Sequence, residues 1–189
     1  MTPLYIVLGV LGFIALMFFA TYNGLVKAKI AVENAWAGID VQLKRRYDLI
    51  PNLISTVKGY AKHEAETLTK VTEARTAAMG VPSGNVAGQA QAENMLSGTL
   101  KSIFALSEAY PDLKANQSFI ELQQELENTE DQIAASRRIY NSNVQMLNTK
   151  VQTIPSNIVA NLAGFANGEF FELDEAERAA AEKAPEVSF

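Results

Sequence analysis

Few residues in this 189-residue sequence could do chemistry. There is no cysteine and one histidine, His63, so a thiol nucleophile is excluded, and a zinc site or a Ser-His-Asp triad has little to draw on. His63 with Glu64 and Glu66 invites comparison with carboxylate-bridged metal bundles. Those sites need Glu-x-x-His on two helices, whereas residue 60 is Tyr and no second histidine exists. We therefore expect no enzymatic activity, no bound metal and no cofactor.

The best remaining candidate for a polar site is the cluster RRIYNSN at 137–143, with Arg137, Tyr140 and Asn141. Arginine and asparagine near a heptad seam commonly fix the register of packed helices, and we favour that interpretation. A phosphate-binding loop is not indicated, because the glycine-rich stretch Gly80–Gly88 lacks the lysine of such loops and does not follow a strand.

Like charges recur on the helix predicted after residue 116. Glu121 and Glu125 are four residues apart, a spacing that costs an isolated helix a few tenths of a kcal/mol. Compensation could come from basic residues on the preceding helices, facing this helix across the bundle: Lys44, Arg45, Arg46, Lys58 and Lys62. A merely solvated acidic face is the open alternative, because exposed ion pairs contribute only ~0–1 kcal/mol.

The charge distribution argues against nucleic-acid binding. The formal net charge is −5, and all of the excess acid lies from Gly80 onward. A nucleic-acid-binding domain carries a strongly basic face, which this pattern does not offer. We expect no nucleic-acid partner.

The element that must position everything else is Leu4–Tyr22, a run of 19 residues without a charge. About 20 apolar residues in a helix cross the ~30 Å hydrocarbon core of a bilayer. A cleaved signal peptide is disfavoured, because no Lys or Arg precedes the run, and a lipid-modified cysteine is excluded. Lys27 and Lys29 follow the run directly. The positive-inside rule then predicts a single-pass protein of the inner (plasma) membrane, with the N-terminus outside and the C-terminal body in the cytoplasm.

Apolar residues after the span recur at helical spacing. Trp36 lies on this stripe, so we predict that it packs in the core. Pro51 interrupts the pattern, which favours a second helix from about Asn52 to Met79; a kink within one continuous helix is the alternative. The stretch Gly80–Gly88 is a predicted loop.

Two further long helices are predicted after this loop. The third helix ends near Pro111. The fourth begins near Asn116, is closed by Pro155, and places an apolar or aromatic residue at every seventh position: Phe119, Leu126, Ile133, Tyr140, Leu147 and Ile154. Heptads sustained this long predict coiled-coil-like packing against neighbouring helices.

The end of the chain changes character. We divide the sequence into a short N-terminus with the membrane helix (1–26), a helical body (27–163) and an acidic tail (164–189). A disordered tail is the ordinary expectation. Because the tail contains Phe170, Phe171 and Phe189, we predict instead that it folds back on the body or docks on a neighbouring subunit.

Several motifs together resemble the LemA family of bacterial membrane proteins. They are AWAGIDVQLKRRYDLIPNLISTVKGYAKHE from Ala35, the later YPDLKANQSFIELQQELENTEDQIAASRRIYN, and the FFEL and PEVSF elements near the end. The first contains Asp40, Arg45, Arg46 and Pro51, which we take as candidates for structural or interaction roles. The resemblance implies an all-α fold, with an N-terminal transmembrane helix followed by an antiparallel four-helix body on the cytoplasmic side. It implies no enzymatic activity and no cofactor. It suggests a membrane protease or another membrane protein as partner, in membrane quality control.

Three functional hypotheses follow. The favoured one is a membrane-anchored helical scaffold or adaptor that forms homo-oligomers. The second is a helical protein that remodels or senses the lipid bilayer. The third is a metal-binding enzyme that uses His63, Glu64 and neighbouring carboxylates.

Overall fold

The structure, a computed structural model, describes residues 2–61 and 63–172. Throughout these residues the regular elements are helices, and the prediction of an all-α fold is confirmed. In chain order they are α1 (Thr2–Tyr60), α2 (Ala65–Met79), α3 (Val86–Ser107), α4 (Pro111–Lys114), α5 (Gln117–Gln152) and α6 (Ser156–Ala163).

Helix α1 runs without a break through Pro51 to Tyr60, so the favoured helix boundary at this proline is wrong. Proline has no N–H, and the carbonyl of Tyr47, four residues earlier, therefore loses its helical donor. Arg75 on α2 replaces that donor: its Nε lies 2.8 Å from the Tyr47 carbonyl oxygen. The second helix begins at Ala65, some thirteen residues later than predicted.

The predicted loop after Met79 is shorter than the sequence indicated. Gly84 adopts a left-handed φ of 88°, which suits glycine because it has no Cβ. The side chain of Asn85 then caps α3 by accepting a hydrogen bond from the Gly88 amide at 2.9 Å. Gly88 therefore lies inside α3 and not in the loop.

The described residues form two compact units, of which the first comprises residues 2–39 and 136–169. In this first unit Leu25 of α1 packs with Val159 and Ala160 of α6, and all three are buried. The rings of Tyr22 and Phe165 meet edge to face, with centroids 5.9 Å apart. Helix α6 is thus held against α1 at the C-terminal end of the uncharged run and directly after it.

The second unit comprises residues 40–61, 63–135 and 170–172. Its core is one cluster of buried apolar side chains from α1, the Ala61 position, α2, α3, α4 and α5: Ile50, Leu53, Val57, Ala61, Leu68, Val71, Ala74, Ala78, Leu96, Leu100, Ile103, Leu113, Phe119 and Leu126. Within this unit α2 packs against α3.

The seven-residue periodicity of α5 corresponds to burial. At most 5% of each side chain is exposed for five of the six predicted positions: Phe119, Leu126, Ile133, Tyr140 and Leu147. The sixth position, Ile154, is 82% exposed, and the prediction of a core role there is wrong. The reason is that α5 ends at Gln152, so that Ile154 is no longer on its buried stripe.

Helix α1 is long and apolar enough in its first part to cross a membrane. None of its most apolar window is buried within the protein. In the described structure this segment is therefore not covered by other helices, as a buried core helix would be. The coarse prediction of an apolar N-terminal helix is confirmed.

Candidate functional site

The most unusual site in the described structure is a buried ion pair in the second unit. Arg46 of α1 and Glu93 of α3 are each 1% exposed, and Arg46 Nη2 donates to Glu93 Oε2. Taking a charge out of water costs several kcal/mol unless a partner and further hydrogen bonds compensate. The surroundings of this pair therefore decide whether it is tolerated.

Hydrogen bonds satisfy most of both charged groups. Glu93 Oε1 accepts from the Tyr47 hydroxyl, and it accepts from Gln89 Nε2 at 2.6 Å. Arg46 Nη1 donates to Ser97 Oγ at 2.9 Å and forms a second ion pair with Glu130 of α5, whose side chain is 41% exposed. We call these six residues the Arg46 network: Arg46, Tyr47, Gln89, Glu93, Ser97 and Glu130.

Helix periodicity explains how three elements deliver these groups to one place. Gln89, Glu93 and Ser97 are spaced by four residues, so they share one face of α3. Arg46 falls on the buried stripe of α1, three residues after Leu43 and four before Ile50. A charged residue on a stripe of buried apolar residues requires an opposite charge from the facing helix, and Glu93 supplies it.

The chemistry of the Arg46 network favours structure over catalysis. Burial, and then the hydrogen bond and negative charge of Glu93, raise the pKa of the Tyr47 hydroxyl well above its usual range. The phenol therefore stays protonated and donates. An arginine remains charged at all physiological pH values. Apart from Arg46 Nε, which has no hydrogen-bond partner within the described part of the chain, the charged groups are engaged with one another.

Of the predicted basic residues, Arg45 and Arg46 contact different acids. Arg45 forms an ion pair with Glu125 across the unit, with side chains 53% and 35% exposed. Glu121 is exposed and accepts from Gln117 Nε2 of its own helix at 2.9 Å. Among the other predicted cations, Lys44 pairs with Asp48 one turn away on α1 at 2.5 Å, and Lys62 lies outside the described residues.

The predicted cluster at 137–143 lies in the first unit. Arg137 is 7% exposed and Asn141 is half-buried. The ring of Tyr140 meets Trp36 edge to face with centroids 5.3 Å apart, and its hydroxyl donates to the Glu169 carbonyl oxygen at 2.9 Å. Burial, followed by the charge of Glu169, raises the pKa of Tyr140.

Asn148 of α5, which the sequence did not indicate as a site residue, binds Gly168, the residue before Glu169. Asn148 Nδ2 donates to the Gly168 carbonyl oxygen at 3.0 Å, and its Oδ1 accepts from the Gly168 amide at 2.7 Å. A Cβ on Gly168 would lie 3.4 Å from Val144 Cγ1, so the backbone approaches α5 closely. Tyr140 and Asn148 together hold the first part of the tail, at Gly168 and Glu169, against α5.

The remaining predicted residues are dispersed. Asp40 and Pro51 are exposed. At the start of the tail Phe171 is fully buried, whereas Phe170 is 43% exposed. Phe189 lies outside the described residues.

The residues considered for a metal site are engaged separately. Glu64 accepts from the Tyr110 hydroxyl at 3.0 Å, and Glu66 pairs with Lys70 at 2.6 Å. His63 is exposed. Within residues 2–61 and 63–172, no group of three or more potential ligand side chains could hold a metal ion.

Comparison with known proteins gives a consistent result. A family model described as the LemA family matches residues 35–189. Protein LemA of Metamycoplasma hominis is 30% identical over 159 residues, which cover 82% of this chain and 71% of that protein. Magnetosome protein MamQ 2 of Paramagnetospirillum magneticum is 24% identical over 190 residues, which cover 88% of this chain and 70% of that protein. Magnetosome protein MamQ of Magnetospirillum gryphiswaldense is 24% identical over 174 residues, which cover 79% of this chain and 64% of that protein.

Proposed function

This chain belongs to the LemA family, and from that premise we propose that it is a single-pass, membrane-anchored helical scaffold that assembles with copies of itself. One observation carries the membrane anchor in this proposal: the large apolar side chains of Leu4–Tyr22 are all between 37% and 71% exposed. Burying apolar surface is worth about 25 cal/mol per Å². A lipid bilayer provides that burial, and a helix satisfies its own backbone hydrogen bonds there.

The charges that flank the span orient the chain. Lys27 and Lys29 follow the span directly. By the positive-inside rule the body then faces the cytoplasm and the N-terminus lies outside, in the inner (plasma) membrane.

A scaffold role agrees with the Arg46 network. Arg46 and Glu93 engage one another in the interior, and Glu130, 41% exposed, joins them from α5, so the network holds α1, α3 and α5 together. We propose that the body, an antiparallel four-helix arrangement, acts through contacts and has no enzymatic activity. A membrane protease or another membrane protein is the candidate partner, in quality control of the membrane.

The number of copies per particle tests this proposal. The full chain is reconstituted into lipid nanodiscs and weighed by single-particle mass measurement over a range of protein-to-disc ratios. We expect discs with two or more copies even when discs are in excess. A single copy per disc throughout would overturn self-association. Phe170→Ala removes a 43% exposed aromatic of the tail and should lower the number of copies per disc. Met146→Ala, 51% exposed on α5, is the matched control and should leave that number unchanged.

Remodelling or sensing of the bilayer is a second candidate. It is favoured by α6, on which Ile158 and Leu162 are 58% and 74% exposed. Purified protein added to vesicles during reconstitution would change their shape under this hypothesis, and unchanged morphology would count against it.

A further inference from the structure

Helix α6 and the turn before it carry an apolar face that the protein does not cover. Ile154, Ile158 and Leu162 are 82%, 58% and 74% exposed. They are spaced by four residues, and the last two lie on one face of α6. Large apolar groups clustered on a surface usually contact a partner or a membrane.

The segment that carries this face contains no charged residue. No Asp, Glu, Lys or Arg occurs between Lys150 and Glu169. Lys150 marks the near boundary, because its ammonium group donates to the Gly24 carbonyl oxygen at 3.2 Å, two residues beyond Tyr22. The charged residue that precedes this segment, Lys150, therefore lies at the point where α1 leaves the predicted span.

The beginning of α6 lies alongside the span itself. Pro155, Ile158 and Val159 line a shallow apolar cavity of about 250 Å³, and α1 contributes the other wall: Ile14, Met17, Phe18 and Thr21. At ~1.5 Å per residue, Ile14 is roughly 12 Å deeper along the helix axis than Tyr22. The turn before α6 therefore reaches a depth that the proposed anchor places in hydrocarbon.

Backbone groups of this turn form hydrogen bonds within the protein. The Asn157 amide donates to the Thr153 carbonyl oxygen at 2.8 Å, and the Ile158 amide donates to the Pro155 carbonyl oxygen at 3.3 Å. Ser156 Oγ also donates to the Thr153 carbonyl oxygen, at 2.9 Å. Backbone in lipid must find hydrogen-bond partners within the protein, and these groups do.

We propose that residues 154–162 insert into the bilayer beside α1, on the side where α1 leaves it, as a second lipid contact of the first unit. The inference rests on the proposed membrane anchor. The exposed apolar side chains enter the acyl-chain region below the headgroups, as the apolar face of an interfacial amphipathic helix does. The anchor and α6 together would hold this unit at a fixed tilt against the membrane surface.

The absence of cysteine allows a direct test by single-cysteine labelling of the full chain. Three positions have matched exposure: Leu11 in the span at 57%, Ile158 on α6 at 58%, and Ile139 on α5 at 59%. Ile139 precedes Tyr140, which contacts Trp36 about 21 Å beyond Tyr22 along α1. Each cysteine variant is labelled with an environment-sensitive fluorophore and reconstituted into phosphatidylcholine/phosphatidylglycerol vesicles with or without brominated acyl chains.

We expect a several-fold loss of emission in brominated vesicles for Leu11→Cys and Ile158→Cys, and none for Ile139→Cys. Quenching at Leu11→Cys without quenching at Ile158→Cys would overturn the inference and leave the anchor intact. If neither is quenched, the anchor fails as well. A disulfide between two copies through Ile158→Cys, without quenching, would identify a second copy as the occupant and would also overturn the inference.

Discussion

Removing Arg46 tests whether the buried network holds the second unit together. Arg46→Met keeps most of the side-chain volume but leaves Glu93, 1% exposed, without its positive partner. Breaking a buried pair in this way costs about 3–5 kcal/mol. For a chain of this size each kcal/mol lowers the melting temperature by about 2–4 °C, so we expect a decrease of roughly 6–20 °C.

The adjacent arginine provides the control. Arg45 also pairs with an acid on α5, Glu125, but its side chain is 53% exposed. Exposed pairs contribute ~0–1 kcal/mol, so Arg45→Met should change the melting temperature by no more than a few degrees. Both variants and the unaltered full chain are unfolded by heat in the same detergent and followed by circular dichroism at 222 nm.

A double variant separates the charge effect from packing. If the cost of Arg46→Met comes from an uncompensated carboxylate, Arg46→Met/Glu93→Leu should cost clearly less than the sum of the two single changes. Equal losses for Arg46→Met and Arg45→Met, or strict additivity in the double variant, would refute the reasoning about burial.

Three further predictions concern single contacts. Arg75→Met should lower the free energy of unfolding by about 1–3 kcal/mol because it leaves the Tyr47 carbonyl without a donor. In a Pro51→Ala background the restored amide at position 51 replaces that donor, so the same change should cost less. An equal loss of free energy in both backgrounds, measured by chemical unfolding, would contradict this explanation. The pKa of Tyr47 is raised on folding, so the folded state holds this proton more tightly, and the resulting stability is present below pH ~10 and lost as the pH rises above it. Tyr47→Phe should therefore flatten the alkaline loss of stability, and an unchanged pH profile would exclude this role. Asn148→Ala removes two hydrogen bonds to Gly168 and should cost about 1–3 kcal/mol; faster cleavage between residues 164 and 172 in limited proteolysis is the expected readout, and an unaltered cleavage rate would contradict it.

The sequence predicts the elements well where one helix face determines burial. The positions from Phe119 to Leu147 are buried every seven residues as expected, because the periodicity of α5 matches its packing. The prediction fails at Pro51 because the donor that preserves the helix, Arg75, comes from 24 residues further along the chain. A local rule for proline contains no information about such a donor.

The Arg46 network was only partly predictable, for a related reason. The sequence predicts that Arg46 faces the acids of the fourth helix, Glu121 and Glu125, but its buried partner is Glu93 of α3. Glu93 lies on the stripe of α3 that contains Ala90, Leu96 and Leu100, so a lone acid among buried positions was the available signal. Which two helices face each other depends on tertiary packing, and one sequence does not specify that pairing.

The most direct test of the central claim is the fractionation of cells that produce the full chain with Leu11→Arg or Val41→Arg. Both residues are exposed on α1, at 57% and 64%, but Val41 lies beyond the proposed span. An arginine near the bilayer centre costs about 2.5–3.5 kcal/mol on insertion scales. We predict that the unaltered chain and Val41→Arg stay in the membrane pellet after an alkaline carbonate wash, and that a much larger share of Leu11→Arg is released. Recovery of the intact, unaltered chain in the soluble fraction would contradict the account.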